Sequence, residues 1–136
     1  MHFIIDTGGS EIILDQRLAQ TAGAQIAATM AGEFGGAKKA TVGLGRVDSI
    51  KLAEFTVQNM PVHTLNLASI SAVFNGLEIK GIIGTRLLMH FLPTIDYPNG
   101  GLILRRVTPE NLAKLEAHTE AQKAKRIPFS FSAIMR

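Results

Sequence analysis

Apolar residues in this chain cluster in short runs separated by glycines and polar groups, a pattern that predicts strands more often than helices. Phe3-Ile4-Ile5 runs straight into Asp6, and Ile12-Ile13-Leu14 forms a second short run. Continuous apolar runs of this kind, bounded by turn residues, fit buried strands. Residues 25–50 predict one long hairpin, with Ile26 and Ala28 on the outgoing arm and Val42, Leu44 and Val47 on the returning arm. Gly32, Gly35 and Gly36 crowd its middle around Glu33 and Phe34, and glycine weakens a strand interior. Ile50-Lys51-Leu52 and Phe55-Thr56-Val57 continue the sheet. Met60-Pro61-Val62-His63-Thr64-Leu65 alternates as a strand, which puts Pro61 at its start or on an edge. His63 then reads as a surface strand residue, with no partner acid or histidine at ligand spacing. Residues 68–79 fit neither period and contain the turn signal Asn75-Gly76.

The later half follows the same logic. Residues 81–84 predict a buried strand and 85–91 a short helix, with Thr85 as its cap and Leu87, Leu88 and Phe91 facing the core. Pro93 is expected to end that segment. Residues 94–97 and 102–105 flank Pro98-Asn99-Gly100-Gly101, a strong hairpin signal, and Asp96 sits in that hairpin. Two further helices carry start signals. Asp15 can cap residues 16–22, with Leu18 and Ala22 on one face and Gly23 as a left-handed stop. Thr108-Pro109-Glu110 opens a helix to about residue 125, charged nearly all round and so expected to be a linker or arm. Ile127-Pro128-Phe129-Ser130-Phe131 reads as one more strand.

Composition narrows the classes. With 136 residues and 46% apolar side chains, the chain suits one domain with a real core. It has no cysteine, so neither a disulfide framework nor a thiolate metal site is available. A thiol-free protein suits reducing and oxidising compartments alike, so a secreted or periplasmic location stays open. The net charge of +3 is mild, and Lys38-Lys39, Arg105-Arg106 and the basic residues at 123–126 are scattered without interleaved aromatics. They read as solvated faces rather than a nucleic-acid surface. No apolar run is long enough to cross a bilayer as a helix.

The chemistry concentrates at Asp6-Thr7-Gly8-Gly9-Ser10. A carboxylate on a tight loop at the end of a buried strand is either a turn-former bonding its own backbone or a reactive group. The glycines permit backbone angles closed to other residues. A second stretch repeats the design: Lys80-Gly81-Ile82-Ile83-Gly84-Thr85-Arg86-Leu87-Leu88.

Together the two stretches resemble the retroviral-type, retropepsin-like aspartic proteases and the lobes of pepsin-like enzymes, of a bacterial single-lobe type. That family shows D-T-G, a small residue and Ser or Thr, here Gly9 and Ser10. Later it shows two apolar residues, Gly and a Leu-rich helix, here residues 82–88. Ile95-Asp96-Tyr97, Gly100-Gly101 and Leu102-Ile103-Leu104 resemble its closing hairpin, so the likeness spans residues 3 to 104. The resemblance implies a mainly β fold: a closed or partly open barrel of the acid-protease lobe, one or two short helices and a C-terminal helix. The lobe would occupy 1–106, a helical linker or arm 107–126, and the first strand of a following lobe 127–136. Lobes of this family usually carry strands before the D-T-G strand, so the chain is expected to be a piece that lacks its start.

The resemblance further implies an aspartic peptidase with Asp6 catalytic and Thr7, Gly8, Gly9 and Ser10 forming the active-site loop. Thr7 would bond across to the opposite loop. Ile82, Ile83 and Gly84 would support the site, and Gly32, Glu33, Phe34, Gly35 and Gly36 would form a flap over a bound peptide. The second aspartate must come from a homodimer partner or from another lobe of the same protein. No metal or cofactor is implied. Two rivals stand beside this reading. One is a non-catalytic peptide-binding or dimerisation module of the same fold. The other is a sugar-kinase or actin-like nucleotide site, which also follows an apolar strand with Asp, Gly, Gly and Ser or Thr, but needs a much longer chain and leaves 81–88 unexplained.

Overall fold

The computed structural model describes residues 1–34 and 38–121. The expected flap glycines Gly35 and Gly36 and the expected strand at 127–131 lie outside the described residues. The chain divides into two compact units, Met1–His90 and Phe91–Arg136.

The first unit is a six-stranded sheet. Its strands are β1 (His2–Ile5), β2 (Ile12–Asp15), β3 (Gln25–Phe34), β4 (Lys38–Leu52), β5 (Phe55–Leu65) and β6 (Ile79–Ile83), in the order β1-β6-β2-β5-β4-β3. Among the described residues the sheet is not closed, with β1 and β3 at its edges, so the partly open form of the expected barrel fits. β6 is the pivot. It runs parallel to β1, pairing Ile5 with Ile83, and antiparallel to β2, pairing Ile13 with Ile82. Residues 12–14 and 81–83 are buried throughout, and strands covered on both faces read as unbroken apolar runs rather than alternating ones.

The core gathers Ile13, Val42, Leu65, Leu67, Ile79 and Ile82, with Ile4, Ala40, Leu44 and Ile70 against it. Truncating Ile13, Leu65, Leu67, Ile79 or Ile82 to alanine costs about 2–5 kcal/mol in a well-packed core. Gly81 is required by close approach: a Cβ there would meet the Phe3 ring at 2.6 Å and the Ile13 carbonyl oxygen at 2.7 Å.

Three short helices decorate this unit. In α1 (Gln16–Thr21) the Asp15 carboxylate accepts from the Arg17 N–H at 3.1 Å, and Gly23 follows at φ +70°. Both expected end signals hold, but the buried residue is Ala19 rather than Ala22, which is exposed. In so short a helix the sheet contact decides the face. Residues 68–79, unreadable by period, hold α2 (Ala68–Val73) and then a turn with Asn75 and Gly76 both at positive φ. That turn links a helix to a strand rather than two strands. Helix α3 (Thr85–Leu88) is shorter than expected and buries Leu87 and Leu88.

The hairpin arms match the expectation, though β4 and β5 are single strands joined at Ala53-Glu54. Pro61 lies inside β5 rather than at its start. It sits opposite Arg46 on β4, two residues before β5 begins to pair with β2 at His63. The missing N–H is tolerated where a strand has one neighbour only.

The second unit contains a two-stranded sheet, β7 (Phe91–Asp96) and β8 (Gly101–Arg106), and a helix, α4 (Pro109–Ala121). Phe91 belongs to β7, not to the preceding helix, and Pro93 is inside that strand opposite Leu104. A two-stranded ribbon leaves each strand one free side, so proline does not end it. Asp96 accepts from the Asn99 backbone and side-chain amides at 3.3 and 2.9 Å, closing the hairpin turn. Thr108 caps α4 by accepting from the Asn111 N–H at 3.1 Å, and Glu110 pairs with Lys114 one turn on at 2.6 Å. Among the described residues no helix is long and apolar enough to cross a membrane.

Candidate active site

Asp6 stands at the end of β1. Its backbone N–H donates to the Ile83 carbonyl at 2.9 Å, extending the β1–β6 pairing by one residue and fixing where the side chain leaves the sheet. The chain then folds back. Asp6 Oδ1 accepts from the Gly8 N–H at 2.9 Å and the Gly9 N–H at 3.0 Å. Bonds from two amides fix the orientation of the carboxylate. Among the described residues Oδ2 has no hydrogen-bond partner. Asp6 is half-buried, while Thr7, Gly8 and Ser10 are exposed and Gly9 is half-buried.

Gly9 serves a purpose other than the expected one. Neither Gly8 nor Gly9 is at positive φ. Gly9 is needed for space: a Cβ there would lie 2.6 Å from Asp6 Oδ2 and 3.1 Å from its carboxyl carbon. The small residue after D-T-G keeps the carboxylate uncovered.

The second motif packs directly behind the first. Ile82 and Ile83 pair with both β1 and β2, and the first turn of α3 reaches into the loop. The N–H groups of Gly84, Thr85 and Arg86 donate to the carbonyls of Glu11, Gly9 and Ser10 at 3.1, 2.9 and 2.9 Å. Helix N-termini carry unpaired N–H groups, and here the loop's carbonyls satisfy them. The Thr85 hydroxyl, expected as a helix cap, instead donates to the Gly9 carbonyl at 3.2 Å; Gly84 occupies the cap position. A Cβ on Gly84 would collide with the Glu11 and Gly9 carbonyl oxygens.

One neighbour of the loop escaped the sequence reading. Glu11 Oε1 accepts from the Ser10 hydroxyl at 2.8 Å and from Arg86 Nη2 at 3.1 Å, and Oε2 lies 3.7 Å from His63 Nε2. Partial burial alone pushes the Glu11 carboxyl up. The Ser10 hydroxyl, the Arg86 guanidinium and the His63 ring outweigh it, so the net direction is down. His63 is therefore a half-buried partner of an acid, not a bare surface residue. The available signal was a carboxylate wedged between the polar loop and the buried run at 12–14; nothing local points to Arg86.

Of the expected flap, Gly32 is half-buried in β3, opposite Ala40, and the backbone of Glu33 and Phe34 continues that strand. In strand order this hairpin holds the edge of the sheet opposite β1.

A strand-borne D-T-G loop braced by an apolar-apolar-Gly strand and helix now has its geometry as well as its spacing. The model of the aspartyl protease family matches residues 1–87, from β1 into α3. The chain belongs to the aspartyl protease family. The resemblance read from the two motifs is thereby borne out at the level of family. No curated protein matches the sequence. Among solved structures, the chain is similar to a retropepsin-like aspartic protease from Rickettsia conorii. That match has 24% identity and a TM-score of 0.48, and covers 74% of this chain and 68% of the other. It is also similar to the retroviral protease-like domain of Ddi1 from Leishmania major. There the identity is 19% and the TM-score 0.47, covering 80% of this chain and 85% of the other.

Proposed function

We propose that this chain is one lobe of an aspartic endopeptidase and that Asp6 is its catalytic carboxylate. The observation that carries the reading is the Asp6 carboxylate at the end of β1, with Oδ1 engaged by two glycine amides and Oδ2 left open. Membership of the aspartyl protease family supports it.

One carboxylate is a weak catalyst for amide hydrolysis. Two sharing a site cannot both ionise cheaply, so they hold one proton between them. The ionised member takes a proton from water as the oxygen attacks the scissile carbonyl carbon, while the protonated member polarises the carbonyl oxygen. The proton then passes to the leaving nitrogen and the C–N bond breaks. These titrations belong to the pair. In this chain Asp6 is one member. The other is supplied by Asp6 of a second copy across a twofold axis, or by a second lobe of the same protein. Thr7 would bond across the two loops. The β3–β4 hairpin would close as a flap, with Gly32 to Gly36 over an extended peptide. Substrates would be extended peptides bound by strand-like pairing. In the domain reading, residues 1–106 are the lobe and 107–126 a helical linker or arm.

The test is incubation of the purified chain with a library of extended peptides at acidic and neutral pH, over a range of protein concentrations, with products identified by mass spectrometry. Internal cleavage that grows steeper than linearly with concentration supports the lobe paired with its own copy; cleavage linear in concentration supports a site complete in one chain. No cleavage at any concentration contradicts pairing of the lobe with its own copy and leaves either a second lobe of the same protein as the source of the other aspartate or a peptide-binding or dimerisation module.

A further inference from the structure

Glu11 sits where the Asp6 loop gives way to β2, and its side chain touches residues from three places. Ser10 is on the loop, Arg86 on α3 and His63 on β5. An isolated surface ion pair contributes little. This carboxylate differs because it is 70% covered and gathers three partners at one acceptor group. The backbone joint beneath it is one-sided: Gly84, Thr85 and Arg86 donate three N–H groups, and Gly9, Ser10 and Glu11 supply only carbonyls. The Glu11–Arg86 contact closes the same joint from the loop side, through side chains 75 positions apart. Two residues earlier in the chain, Gly9 aims its N–H at Asp6 Oδ1.

We infer that Glu11 is a positioning residue for Asp6: it holds the loop against α3 and β5, so that the Gly8 and Gly9 amides stay directed at the reacting carboxylate. The inference rests on the reading of Asp6 given above, but the joint it describes can be measured without turnover.

Backbone amide exchange by NMR on the whole chain tests it. In Glu11→Gln, exchange at Gly8, Gly9, Thr85 and Arg86 is expected to quicken about tenfold, while the β4–β5 amides stay within about twofold. The charge swap Glu11→Arg with Arg86→Glu is expected to restore slow exchange, which a general loss of stability would not do. In turnover, Glu11→Gln lowers kcat about tenfold with KM within about twofold, since a misaimed group loses rate rather than substrate. Loop exchange unchanged in Glu11→Gln, or quickened equally in β4–β5, overturns the inference, as does a swap that restores nothing. Equal cleavage by wild type and Asp6→Asn would sink the reading of Asp6 instead, leaving the exchange comparison intact.

Discussion

Thr85 closes on Gly9 twice: its backbone N–H, at 2.9 Å, and its hydroxyl, at 3.2 Å, both donate to the Gly9 carbonyl oxygen. The two residues lie in motifs 76 positions apart, and this contact joins the D-T-G loop to the strand and helix behind it. Thr85→Val keeps the shape and removes the hydroxyl. It is expected to cost about 1 kcal/mol, because the backbone bond survives. Denaturant unfolding measures it; a loss beyond about 3 kcal/mol would mean that the valine disturbs packing rather than one bond.

Gly9→Ala places a methyl group against the Asp6 carboxylate, 2.6 Å from Oδ2 on the present backbone. Either the carboxylate turns or the loop shifts. The expected loss is about 1–3 kcal/mol of stability, as for overpacking elsewhere. Catalysis should fall much further than stability, because the displaced group is the reacting one. Retention of full activity would show that the loop has room this geometry denies it.

Glu11 contributes to the acid side of the stability profile. Its folded carboxyl lies below the ordinary value of 4.5, so folding favours the ionised form. Its contribution is fully present above the unfolded value and is lost as pH falls through the lowered folded value. The stability gap between wild type and Glu11→Gln should therefore be flat near neutrality and shrink below pH 4.5. A gap of constant size across that window would contradict the assignment.

Ala53 turns the chain between β4 and β5 at φ +50°, a region that disfavours any residue with a Cβ. Ala53→Gly is expected to stabilise the fold by about 0.5–1 kcal/mol, the relief of that strain less the added freedom of the unfolded chain. Thermal unfolding reads it as a rise in Tm; a fall would place the turn in another conformation.

What was legible in the sequence was local. The run into Asp6, the Ile82-Ile83-Gly84 motif, the Asp15 cap and the Pro98-to-Gly101 turn each carry their own signal within a few residues. The family followed because two such signals stand in a fixed order. What was illegible depended on partners far along the chain. Pro93 and Pro61 lie inside strands because each tolerates a missing N–H where it falls, a property of neighbours and not of proline. Ala19 rather than Ala22 faces inward because the sheet chooses the face of a six-residue helix. Gly9 is small for the sake of Asp6 Oδ2, and Glu11 finds Arg86 only once β6 has slotted between β1 and β2. Neither fact has a local signature.

The account depends most directly on the Asp6 carboxyl. Wild type and Asp6→Asn, purified at equal concentration and shown to be equally folded, are compared on the same extended peptide at acidic and neutral pH. The asparagine keeps the shape and an oxygen for the Gly8 and Gly9 amides, but cannot share or exchange the proton. The account predicts that kcat/KM falls by about a thousandfold or more. Cleavage by Asp6→Asn at the wild-type rate would contradict it.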